Sequence, residues 1–206
     1  MSAPVAAVLL AAGRSTRMGD NKLLRPLGGV PVARRAALAA LASPARPVLA
    51  VLGHGREAVA EALRGLDVTV VENPRYAEGF ATSVAAGVAA LPAGVDGALM
   101  IPADMPLLRP DTLAALVATF EGAPDVAAVA PSFGGRRGNP VLVSAALFRR
   151  AGELTGDEGF RALLGPGADV VEVPVDDAGV HADVDTPDAF AAAERLWAER
   201  ETGASA

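Results

Sequence analysis

Between residues 9 and 24 the chain reads LLAAGRSTRMGDNKLL. An apolar run breaks into small residues and then into three cations, Arg14, Arg17 and Lys22, with Asp20 the first acid. After Leu10, the small side chains of Ala11, Ala12 and Gly13 let a ligand approach the backbone, and Gly13 and Gly19 permit unusual dihedrals. Backbone N–H groups beside fixed cations suit a polyphosphate. Arginine grips phosphate through paired donors, whereas lysine acts as a mobile point charge. The spacing excludes two other phosphate loops. G-x-G-x-x-G fails because Arg14 and Ser15 follow Gly13, and G-x-x-x-x-G-K-[ST] fails because Asp20 follows Gly19. The plain alternative is a solvated basic turn.

Candidate metal ligands are carboxylates. Asp104 follows the apolar run GALMI, and a carboxylate at the carboxyl end of a strand is placed for a hard cation such as Mg²⁺. Pro102 and Pro106 stiffen its loop, and the competing role is a turn residue. Asp183 and Asp185 are two apart, so on an extended strand they point to one side and can complete a site with Asp104. Asp185-Thr186-Pro187 also reads as a helix start, so one of the two carboxylates can be only a cap. The choice stays open, with Asp183 slightly favoured for metal. Thr82 and Ser83 lie near a helix start, where hydroxyls and N–H groups suit a base edge or an anion, or serve only as caps. GGRRGNP (134–140) is flexible and cationic and suits an anionic acceptor. His54 and His181 lack ligand spacing. Tyr76 and Trp197 read as packing residues.

Short apolar runs alternate with stretches of helical character. Strands are expected at 5–11, 47–53, 67–72, 97–106, 125–131, 139–144 and 169–175. Helices are expected at 31–42, 56–65, 80–92, 109–122, 157–165 and 186–200, with Thr186 as N-cap and Pro187 at the first helical position. This alternation predicts an α/β fold: a single Rossmann-like three-layer domain over 1–206, a mostly parallel sheet with helices on both faces, and a frayed tail at about 202–206. Such sheets bind ligands beyond the carboxyl ends of their strands, which is where the charged loops fall.

The first loop, LAAGRSTRMGDNK, resembles the signature L-A-[AG]-G-x-S-x-R-M-G-x-x-K of the MobA-like nucleotidyltransferases, and among them it is most similar to the molybdenum cofactor cytidylyltransferases. NPRYAEGFATSVAAG (73–87), PADMPLL (102–108), RRGNPVL (136–142) and DVDTPDAF (183–190) resemble later family motifs, in family order across nearly the whole chain. The resemblance implies a fold of the nucleotide-diphospho-sugar-transferase type. It also implies Mg²⁺-dependent transfer of CMP from CTP to the phosphate of molybdopterin, with release of pyrophosphate. It places Lys22 near the reacting phosphate, Arg17 beside the triphosphate, Asp104 on Mg²⁺ with Asp183 or Asp185, Gly79 and Ser83 at the base, and Gly138 and Asn139 at the acceptor. Arg14 falls on a variable position of the signature. Guanylyl-transferring relatives generally carry L-A-G-G, so Ala12 points to CTP. Close cytidylyltransferase relatives carry G-H-P where this chain has Gly138-Asn139-Pro140, which bears on the acceptor more than on the reaction.

The chemistry can be argued independently. An acceptor phosphate oxygen attacks the α-phosphorus of a nucleoside triphosphate, and the protein must align the reactants and neutralise charge. Three alternatives remain: another acceptor such as a sugar phosphate, a non-catalytic accessory that loads a cofactor into a molybdenum hydroxylase, and a nicotinamide-dependent reductase. The missing G-x-G-x-x-G counts against the last. Composition narrows the partners. The 206 residues carry 24 acids against 18 bases, with one Trp and one Tyr, so a nucleic-acid surface is not expected. There is no cysteine, which excludes disulfides, thiolate catalysis and cysteine-held metals. No Lys or Arg precedes the first apolar run, and no apolar stretch reaches membrane length, so neither a leader nor a membrane span is expected and the reading is cytoplasmic.

Overall fold

The computed structural model describes residues 4–14, 21–123, 125–164 and 167–203. The strands are β1 (Val5–Ala11), β2 (Pro26–Leu27), β3 (Val30–Pro31), β4 (Val48–Leu52), β5 (Thr69–Glu72), β6 (Gly97–Pro102), β7 (Ala128–Phe133), β8 (Arg136–Arg137), β9 (Val141–Ser144) and β10 (Val170–Pro174). The helices are α1 (Val32–Ala42), α2 (Arg56–Ala62), α3 (Phe80–Ala89), α4 (Pro110–Gly122), α5 (Ala145–Phe148) and α6 (Pro187–Gly203). Seven strands form one sheet in the order β10-β7-β9-β6-β1-β4-β5, with β8 beside β7, while β2 and β3 make a separate small hairpin.

β1 pairs in parallel with β4 and β6, β4 with β5, and β7 with β10. β9 runs against both β6 and β7. The chain between Phe133 and Val141 is too short for a crossover, so it returns by way of β8 and β9 slots in antiparallel.

Alternation along β1 builds a core on each face. Val5, Ala7, Leu9 and Ala11 join one cluster with α1, α4 and α6, while Val8 and Leu10 join the other with α3. Ala33, Ala36, Ala37 and Ala40 of α1 are all at 0% exposure. Their small side chains let that helix lie close to the sheet, and the bulk of the core comes from leucines such as Leu9, Leu99, Leu113 and Leu142.

Several elements depart from the sequence reading. The expected helix over 157–165 is a 3-10 turn, Phe160–Leu163. α2 stops at Ala62 and α3 at Ala89, both short of the expected ends. α6 continues through Gly203, into what reads as a frayed tail. Its start is as expected: the hydroxyl of Thr186 accepts the N–H of Ala189 at 3.1 Å. Pro31 sits at the N-cap of α1 rather than inside it.

Candidate active site

The carboxyl ends of the parallel strands meet around one cavity of about 610 Å³. Leu10 of β1 pairs with Pro102 of β6, and the N–H of Ala103 reaches the Leu10 carbonyl at 3.1 Å. The loop bearing Asp104 therefore lies beside Ala12 and Gly13. On the other side of β6, Met100 pairs with Val141, which brings Asn139 level with Pro102.

Leu10, Ala12, Gly13, Lys22, Gly79, Ser83, Asp104 and Asp185 all line the cavity. Ala11 does not: it is 1% exposed and belongs to the core, as β-strand alternation requires. Gly138, Asn139 and Asp183 lie outside the lining. Arg17 and Gly19 lie outside the described residues. Gly13 does not take a left-handed conformation, and among the described residues a Cβ there would meet nothing within 4 Å, which suits close approach of a ligand. Arg14, set lower by its variable position, and Tyr76, read as a packing residue, also line the cavity. The Tyr76 ring lies 6.0 Å from His54. Trp197 packs elsewhere, under the Arg35 guanidinium at 3.5 Å.

At the cavity floor Lys22 is 8% exposed and opens a 3-10 turn, Lys22–Leu24, in which the Asn21 side chain accepts the Leu23 N–H at 3.1 Å. Its ammonium binds Asp104 at 2.5 Å and also binds Asp185. Loss of water disfavours the ammonium, but Asp104, by charge and by hydrogen bond, and then Asp185 outweigh that loss and raise the Lys22 pKa above the ordinary lysine value. Lys22 therefore stays charged at neutral pH and acts as a fixed cation, not a base.

The segment carrying Asp183 and Asp185 is not a strand. It is an irregular link between a 3-10 turn, Ala178–His181, and α6. Val184 is fully buried, and its N–H donates to the Asp104 carbonyl at 3.0 Å, which fastens the two acidic segments together. The Asp183 carboxyl is pushed above the usual aspartate value, first by partial loss of water and then by the charges of Asp104 and Asp185; its own backbone N–H and Lys22 oppose the shift. Thr186 caps α6, so neither aspartate is needed there. Among the described residues no three His, Cys, Asp or Glu side chains gather as a metal-holding group. Asp104 and Asp185 converge on Lys22, and among the described residues the buried Oδ1 atom of Asp104 has no hydrogen-bond partner.

Gly79 opens α3 with φ of 125°, and a Cβ there would lie 2.3 Å from the Gly156 carbonyl oxygen, so only glycine fits. The N–H groups that follow are already used: Ala81 donates to the Gly156 carbonyl at 2.9 Å and Phe80 to Asp157 at 3.3 Å. These two helix-terminal N–H groups are therefore engaged within the protein. Thr82 does not cap the helix N-terminus; its hydroxyl donates to the Gly79 carbonyl at 2.8 Å.

The sequence reading missed three residues. Asn73 supports Ser83 and was visible only as the first letter of a family segment. Asp157 lines the cavity. Asp177, 1% exposed, accepts from the Arg109 N–H, the Thr112 hydroxyl, the Gly179 N–H and Arg200, and so ties α4 and α6 behind the Asp104 loop. Nothing in spacing marks it.

Residues 7–173 match the model of the MobA-like NTP transferase domain. This chain belongs to that family. As a MobA-like NTP transferase it is 36% identical to the purine catabolism protein PucB of Bacillus subtilis, covering 89% of this chain and 92% of PucB. It is 29% identical to the molybdenum cofactor cytidylyltransferase of Escherichia coli, covering 93% and 96%. A match to the bifunctional protein GlmU of Novosphingobium aromaticivorans is 37% identical over 65% of this chain, and it spans only 30% of GlmU. A nucleotidyl transferase from Methanothermobacter thermautotroptrophicus shares the fold with a TM-score of 0.83 at 26% identity, covering 96% of this chain and 99% of that one. Rv0371C of Mycobacterium tuberculosis, solved as a complex with manganese, gives 0.77 at 26% identity, covering 93% and 98%. Among the described residues no helix is long and apolar enough to cross a membrane.

Proposed function

We propose that this MobA-like NTP transferase moves CMP from CTP to the phosphate of a molybdopterin-type acceptor and releases pyrophosphate. The observation that carries the reading is the Lys22 ammonium set between Asp104 and Asp185 on the floor of a cavity at the carboxyl ends of β1 and β6. A phosphate oxygen of the acceptor forms a bond to the α-phosphorus while the bond to the β-phosphate bridging oxygen breaks. The protein's part is alignment and charge neutralisation.

The residues fit a hard divalent cation. Asp104 has a buried oxygen with no partner among the described residues, and Asp185 and Asp183 supply further oxygen donors nearby. Asp104 and Asp185 would hold Mg²⁺, with Asp183 at the rim, and the ion would supply Lewis-acid charge to the phosphates. Lys22, charged throughout the neutral range, then neutralises the reacting phosphate, assisted by Arg17. Gly13 leaves its open face to the triphosphate. Gly79 and Ser83 meet the base. Gly138 and Asn139, one strand over from Asp104, meet the acceptor.

CTP rather than GTP rests on Ala12, 3% exposed in the cavity wall, where a methyl narrows the space for a purine. Such a methyl discriminates by about 1–3 kcal/mol. A sugar phosphate acceptor is the second reading, favoured by Asn139 standing where close cytidylyltransferase relatives carry histidine. Pyrophosphate release from each of the common NTPs with Mg²⁺, with and without molybdopterin or sugar phosphates, tests the proposal. Release that needs both CTP and molybdopterin supports it; preference for GTP, or for a sugar phosphate, overturns the corresponding part.

A further inference from the structure

Asn73 follows β5 and is 4% exposed. Its Oδ1 accepts the backbone N–H of Arg75 at 3.0 Å. A backbone N–H can only donate, so this contact fixes the orientation of the amide. The Nδ2 group must then face the other way, where it donates to the Thr82 hydroxyl at 2.9 Å and to the Ser83 hydroxyl at 3.0 Å. Both amide hydrogens are used, and each hydroxyl receives one.

The two hydroxyls differ in where their own hydrogens go. Thr82 donates to the Gly79 carbonyl at 2.8 Å, the acceptor one turn earlier in the chain. That carbonyl also receives the Thr82 N–H. Ser83 is 4% exposed and lines the cavity, and among the described residues no acceptor receives its hydroxyl hydrogen. With one lone pair committed to Asn73, the hydrogen is directed into the cavity. A buried donor left unpaired is unfavourable, so the complementary ligand atom is an acceptor.

We infer that Asn73 is a positioning residue that fixes Ser83 as a hydrogen-bond donor, so the pocket selects a nucleobase edge that presents a carbonyl oxygen or an unprotonated ring nitrogen to Ser83. The inference rests on the nucleotide site proposed above and adds the polarity of that site. A cytosine edge supplies both kinds of acceptor. A base that turns an N–H toward Ser83 can use only its second lone pair and leaves the buried hydroxyl hydrogen unpaired, so it is disfavoured.

The test is a double-mutant cycle on binding of the NTP that the wild-type chain binds most tightly, with CTP expected, read by calorimetry in Mg²⁺. Ser83→Ala is expected to weaken binding about 3- to 10-fold, the loss of one neutral hydrogen bond. Asn73→Asp presents a carboxylate oxygen to Ser83, which turns the hydroxyl hydrogen away from the cavity. Its added charge weakens binding in either background, but the loss with Ser83 present is expected to exceed the loss in the Ser83→Ala background by about 3- to 10-fold. Asn73→Thr keeps an acceptor for Arg75 and adds no charge. It serves in the same cycle if Asn73→Asp does not fold, and its loss is expected only where Ser83 is present. Equal losses in both backgrounds overturn the inference and leave the nucleotide site standing. Failure of the wild-type chain to bind any NTP overturns both.

Discussion

Replacing Lys22 by methionine removes the ammonium while keeping most of the side-chain volume. In the wild-type protein that ammonium meets Asp104 and Asp185, with side-chain exposures of 10% for Lys22, 19% for Asp104 and 38% for Asp185. Unit charges 4 Å apart attract by about 4 kcal/mol at an effective dielectric constant near 20. Water lost around Lys22, and the exposure of Asp185, offset most of the attraction of the two pairs, so the net loss on substitution is about 2–3 kcal/mol. The variant also leaves the two carboxylates facing one another without compensation. For a chain of this size that corresponds to a fall in Tm of about 4–12 °C. The assay is thermal unfolding by circular dichroism in chelator and again in millimolar Mg²⁺ or Mn²⁺. The variant is expected to unfold at lower temperature in chelator, to recover most of the difference with metal, and to bind Mn²⁺ more tightly than the wild type because no ammonium competes for the carboxylates. Transfer activity is expected to fall about 100- to 1,000-fold, as for loss of one preorganised charge at a reacting centre. Equal stability in chelator together with unchanged Mn²⁺ affinity would refute the reasoning.

Three further substitutions probe the supports of the site. Gly79→Ala forces a Cβ against the Gly156 carbonyl at a φ of 125° and is expected to cost about 2–4 kcal/mol by urea denaturation; a loss under 0.5 kcal/mol, about the surface-substitution range, would show that the turn relaxes. Asp177→Ala removes the acceptor of four hydrogen bonds and leaves Arg200 uncompensated, so about 3–5 kcal/mol of stability should be lost, with weaker Mn²⁺ binding as the Asp104 loop loosens; wild-type Mn²⁺ affinity would separate that hub from the site. Asp183 has a folded-state pKa above its unfolded value, so its contribution to folding is full below the ordinary aspartate pKa and is lost as pH rises through the raised value. In chelator, Asp183→Asn should match the wild type at acid pH and exceed its Tm once pH has passed that window; a variant less stable than wild type at neutral pH would contradict the assigned direction.

What the sequence could and could not show divides along physical lines. The β1 run is legible because a buried parallel strand is continuous in apolar residues. The antiparallel course of β9 is not, since a buried strand has the same apolar pattern in either direction. The meeting of Lys22 with Asp104 and Asp185 spans 82 and 163 residues of sequence, and only the sheet register brings them together. Sequence spacing suggests that Asp183 and Asp185 share a side on an extended strand, but the segment is an irregular link, and of the two only Asp185 lines the cavity. Asn73 and Asp177 were hidden because each is defined by what it accepts or donates in three dimensions. The sequence reading gives Gly13 two roles, close ligand approach and unusual dihedrals; its backbone is not left-handed, and among the described residues a Cβ there would meet nothing within 4 Å, a distinction that no single sequence contains.

Nucleotidyl transfer to a phosphate-bearing acceptor is measured most directly by the mass of the acceptor after incubation with enzyme, CTP and Mg²⁺. Molybdopterin is expected to gain the mass of CMP, with one pyrophosphate released for each product molecule, and Asp104→Asn is expected to abolish both signals. Molybdopterin of unchanged mass while CTP is bound, or CTP split to CDP and phosphate, would contradict the account.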